Sequence, residues 1–165
     1  MSVTGVTQDP GCRRAAPRWP LWNSTPPLGA LAPAAGAARK RARAIVLAWG
    51  MGGLADDAET VIGELVSNAV RASSVVDDAT GERVPIYGDD GRILVIWVRL
   101  ATDGTRLHAE VWDQAPGIPV SRRPGDDDED GRGLAMVECL SSRCGWYPAP
   151  DGPGKCVWAE LSGPG

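Results

Sequence analysis

The chain has 165 residues, 43% of them hydrophobic, and a net charge of -4, which suits one compact domain of roughly 100 to 150 residues plus a tail. The acidic balance, 21 Asp and Glu against 17 Lys and Arg, removes the electrostatic reason to expect a nucleic-acid binder, whose domain is normally basic. Four cysteines (Cys12, Cys139, Cys144, Cys156) without C-x-x-C spacing, and a single histidine, exclude a typical zinc set and a disulfide-stapled scaffold. They read as reduced thiols, with Cys139 and Cys144 in a helix core. No run approaches the ~18 apolar residues of a membrane span, and the N-terminus lacks an apolar signal-peptide core, so no membrane and a cytoplasmic location are expected.

Residues 1–36 are rich in Pro, Gly and Ala and supply no periodic apolar face, so a flexible arm is expected there, despite Trp19 and Trp22. From Ala37, "AARKRARAIVLAWG" has helical composition, with Ala38, Ala42, Ile45, Val46 and Trp49 near one face and Gly50 as a stop. A second helix begins near Ala55, with Asp56 and Asp57 in its first turn where the macrodipole favours them. After a polar connection, "ILVIWVRL" (93–100) is β-branched and aromatic, and "LHAEVWD" alternates across a turn centred on Asp103-Gly104. The alternation puts Leu107, Ala109, Val111 and Asp113 on one face, and His108, Glu110 and Trp112 on the other, where His108 is expected at the surface. Trp97 and Trp112 are candidates to meet on that outer face, by packing or as a partner or homodimer surface. A Pro-rich bend, an acidic run (126–130), a glycine pair opening a helix and a terminal hairpin complete the chain. The order of elements predicts an α+β two-layer sandwich, its helices on one face of the sheet.

Three segments carry candidate chemistry. In "ETVIGELVSNAVRAS", a rotation of about 100° per residue places Glu64, Asn68 and Arg71 together at the border of an apolar stripe. Asn oxygen is a hard ligand suited to Mg²⁺, and Glu can deprotonate a nucleophile; a solvated helix face is the alternative. Asp113 points inward, where an unpaired charge is costly, and so needs a partner such as an exocyclic amine. Gly117, in the bend that follows, permits close backbone approach. In "GRGLAMVECL", Gly131 and Gly133 flank Arg132 at a helix start, where free N–H groups bind phosphate, although glycines also mark ordinary turns.

In this order, "ELVSNAV", "VWDQAPGIP" and "GRGLAMVECL" resemble the N, G1 and G2 boxes of the GHKL, or histidine kinase-like, ATPase superfamily. The short format and the ending "GRGLAMVECLSSRCGW...GKCVWAEL" resemble its bacterial anti-sigma-factor serine/threonine kinases, over residues 37 to 162. The resemblance implies a Bergerat-type fold with a mixed, mostly antiparallel sheet, and an ATP-binding domain over 37–165. It implies that Asn68 holds Mg²⁺, that Glu64 is the general base and that Asp113 takes the adenine amine. Gly117 would admit the base, Gly131, Arg132 and Gly133 would line the phosphates, and 118–130 would form a lid. A sigma factor and an antagonist protein are the implied partners, with γ-phosphate passing to a Ser or Thr of the antagonist. The sequence departs from the family pattern at Ala115, a first glycine in the superfamily, and at Ala72, often histidine in relatives. A module that only sequesters a partner is the competing reading. A detached catalytic domain of a histidine kinase is a third.

Overall fold

The computed structural model describes residues 19–119, 132–150 and 152–163. In chain order these form β1 (Leu21–Ser24), β2 (Leu28–Gly29), α1 (Pro33–Ala48), α2 (Ala55–Ala72), β3 (Ser74–Val76) and β4 (Arg83–Pro85). There follow β5 (Val95–Thr102), β6 (Arg106–Asp113), α3 (Arg132–Leu140), β7 (Arg143–Pro148) and β8 (Lys155–Ser162). The main sheet runs β1-β5-β6-β8-β7 with β2 also on β5, and each of these pairings is antiparallel. The expected α+β sandwich is the observed architecture, with all three helices against one sheet face.

The period-two pattern sets the inner face: Ile96, Val98 and Leu100 of β5, Leu107, Ala109 and Val111 of β6, and Val157, Ala159 and Leu161 of β8 all enter the core. On them lies α2, whose stripe Ala58, Val61, Ile62, Leu65, Val66 and Ala69 is buried. Four residues at strict i, i+4 spacing, Ala34, Ala38, Ala42 and Val46, bury the facing side of α1, and their small size lets the two helices approach closely. Arg43 of α1 ties them at the surface by pairing with Asp56 and, at 3.1 Å, with Glu59. Gly50, at φ +73°, ends α1 as its sequence position predicts.

Three expectations need correction. The arm assigned to residues 1–36 extends too far: Leu21–Ser24 pairs in register with Arg99–Thr102, and α1 starts at Pro33, four residues before Ala37. Proline at the helix start loses no hydrogen bond, and the Ala34 and Ala38 faces reward the extra turn. Residues 1–18, including Cys12, lie outside the described residues.

His108 does face the outer side, yet it is only 4% exposed. Trp19 stacks on one side of its ring at 5.3 Å and Trp158 on the other at 5.6 Å. Its Nε2 lies 3.0 Å from Glu110 Oε1, and Glu110 also pairs with Arg99 at 2.7 Å. Burial works to raise the Glu110 carboxyl, but His108 and Arg99 hold it below its ordinary value. Trp97 and Trp112 are cross-strand partners as expected, and Trp112 meets Tyr147 edge-on. Cys139 is exposed on α3 and Cys144 lies on β7, so they do not share a helix core.

Candidate functional site

A cavity of about 270 Å³ opens between the C-terminal half of α2, the sheet and the residues after β6. Leu65, Ala69, Val111, Val157, Leu134 and Ile118 give it apolar walls. Its polar groups fall into two sets: Asp113 with Lys155, and Asn68 with Arg71 and Arg83. An apolar slot between a carboxylate and a pair of guanidinium groups suits a flat heterocycle carrying an anionic tail.

The sheet register builds the first set, because Asp113 ends β6 directly opposite Lys155, which opens β8. Both are almost fully buried. Lys155 Nζ donates to Asp113 Oδ1 at 2.9 Å and reaches the Ala115 carbonyl at 3.4 Å, while the Ala115 N–H donates to the same Oδ1 at 2.9 Å. Burial pushes the Asp113 carboxyl above its ordinary value, against the ammonium and the N–H that favour its charged form. Gly154 makes the close approach possible: its φ is +124°, and a Cβ there would collide with the Asp113 carbonyl. The partner that Asp113 needs is therefore within the chain, where the sequence suggested a ligand's amine. Lys155 was missed, although the alternation in "KCVWAELS" puts it on the core face with Val157, Ala159 and Leu161.

On α2, the carboxamide of Asn68 faces the cavity. Its Oδ1 accepts from Arg71 Nη1 at 3.0 Å, and its Nδ2 is buried without a hydrogen-bond partner among the described residues. Glu64 lies one turn earlier, away from the cavity wall. It sits 3.9 Å from Arg39 of α1, and its carboxylate fills the space that a Cβ at Gly133 would need. Glycine there leaves the Glu64 carboxylate in place against the start of α3, and this brings Glu64, Asn68 and the α3 N-terminus together.

Gly117 has φ +98°, and a Cβ there would meet open space, so backbone conformation rather than crowding calls for glycine. Arg132 begins α3. Gly131, Arg122, Arg123, the acidic run 126–130 and the expected lid beyond Pro119 lie outside the described residues. Among the described residues no cluster of three or more His, Cys, Asp or Glu can hold a metal. One Asn oxygen, completed by phosphates and water, fits Mg²⁺, which dehydrates reluctantly and needs no protein-only cage. No described helix is long and apolar enough to cross a membrane.

This α+β frame, with an apolar cleft between a buried carboxylate and a cationic mouth, has the shape and charge that a nucleotide would need. The model of the histidine kinase-like ATPase domain family matches residues 30–161, and the chain belongs to that family. ATP binding is what membership implies. Comparison with curated proteins gives no match.

Proposed function

We propose that the protein is an ATP-dependent serine/threonine kinase of the anti-sigma-factor type, acting in the cytoplasm on a small antagonist protein of a sigma factor. The observation that carries this reading is the meeting of Glu64, Asn68 and the start of α3 beside the cleft. The adenine end of ATP would lie between the apolar walls with its amine on Asp113, and the phosphates would run past Asn68 toward Gly131, Arg132 and Gly133. The Asn68 oxygen would hold Mg²⁺, whose charge offsets that of the phosphates. Glu64 accepts the proton of the substrate hydroxyl as the Ser or Thr oxygen bonds to the γ-phosphorus; the bond to the β-phosphate oxygen breaks and ADP leaves. Positioning and charge neutralisation supply most of such a transfer.

The test follows γ-labelled phosphate onto an antagonist protein, alongside calorimetric ATP binding. Glu64→Gln is expected to bind ATP as the parent does and to slow transfer by roughly 10²- to 10⁴-fold, the range of general base catalysis. Transfer at the parental rate by this variant would remove Glu64 from the chemistry. A second reading, a non-catalytic module that sequesters its partner, is favoured by one feature: Asp113 and Asn68 both find partners inside the chain, in Lys155 and Arg71. Partner binding without phosphate transfer would select it.

A further inference from the structure

Lys155 is a buried charge that the proposed transfer does not use. We propose that it determines base specificity, donating a hydrogen bond to the ring acceptor next to the base's exocyclic amine, N1 of adenine. The inference rests on the reading of the cavity as a nucleotide site.

The ammonium has three N–H donors. One is directed at Asp113 Oδ1 and a second, at 3.4 Å, at the Ala115 carbonyl, and the residue lines the cavity. The third N–H is therefore available to a ligand. On Asp113, Oδ1 already receives Lys155 and the Ala115 N–H, whereas no bond among the described residues reaches Oδ2. The floor thus offers one acceptor and one charged donor side by side. Adenine presents the complementary edge, an amine donor at N6 adjoining an acceptor at N1. Guanine presents two parallel donors, N1–H and the N2 amine, beside O6, so that with Oδ1 occupied one of its donors is left without a good acceptor. Leaving a buried polar group unpaired is what makes such discrimination large.

The ion pair also removes an obstacle to binding. A bare buried carboxylate would set a full charge against a neutral ring, whereas the paired carboxylate and ammonium are together neutral. The position is built, not incidental: the Asp113–Lys155 register pair and the tight approach at Gly154 fix the ammonium from the backbone upward.

Calorimetric titration of the full chain with the Mg²⁺ complexes of ATP, 1-deaza-ATP, 7-deaza-ATP and GTP tests the inference. The parent is expected to bind 1-deaza-ATP roughly tenfold or more weakly than ATP, the scale of one hydrogen bond to a charged group. It should bind 7-deaza-ATP within about twofold of ATP, and GTP more weakly than 1-deaza-ATP. Lys155→Met should weaken ATP binding and bring ATP and 1-deaza-ATP to the same affinity. Because the deaza comparison uses the unaltered protein, it decides the matter even if that variant fails to fold. Equal binding of ATP and 1-deaza-ATP by the parent, equal weakening by both deaza analogues, or a preference for GTP would overturn the role of Lys155 and leave a nucleotide site standing. Failure of the folded parent to bind any of the four would overturn the nucleotide reading itself.

Discussion

At the scale of single residues, the cleft depends on glycines for two separate reasons. Gly154 needs both its positive φ and its missing side chain, since the obstructing atom is the backbone carbonyl of Asp113. Gly154→Ala is therefore expected to destabilise the fold by at least ~1–3 kcal/mol and to part Lys155 from Asp113, measured as a lower urea midpoint together with weaker ATP binding. At Gly133 the obstruction is the flexible end of Glu64, so the outcome differs. Gly133→Ala should shift stability by less than ~1 kcal/mol, because a rotamer change relieves the collision. Displacing the carboxylate should still lower the rate of phosphate transfer, so stability and transfer measured together separate packing from chemistry.

At the scale of elements, period and position carried most of the information. The α2 stripe, the inward faces of the two long strands and the stop at Gly50 all follow from 3.6- and 2-residue spacing. The same logic, applied to Asp113, correctly turned a carboxylate inward. Applied to Lys155 it would have turned an ammonium toward the same face, and only the strand pairing, a non-local fact, shows that the two meet. The start of α1 and the strand β1 were harder to read for a related reason. "LWNS" has too little alternation to declare itself, and it is a strand only because β5 offers an open edge. His108 was placed on the correct face but not at the correct depth, since Trp19, a residue 89 positions away by number, provides the cover. Deletion of residues 1–26 should uncover that face: a lower urea midpoint is expected with little change in ATP affinity, because β1 is an edge strand on β5 whereas the main-sheet residues lining the cleft come from β6 and β8. Loss of ATP binding together with stability would instead couple the segment to the cleft.

At the scale of the whole molecule, the helices and the cleft share one sheet face while the other carries the buried Glu110, His108, Glu160 and Trp158, flanked by the partly exposed Arg99 and Trp19. Sheet order and chain order disagree in one place, for β8 comes after every strand it pairs with, yet lies between β6 and β7. During synthesis, β5 and β6 leave the ribosome as a ready hairpin, whereas β1 waits about eighty residues for its partner's far end and β7 has no route to the hairpin until β8 arrives. Contacts so distant in sequence form late, because loop closure must precede them. The strand that completes the sheet is also the one that brings Lys155, so a nascent chain gains its nucleotide floor only when its fold is finished, and a ligand can stabilise none of the unfinished forms.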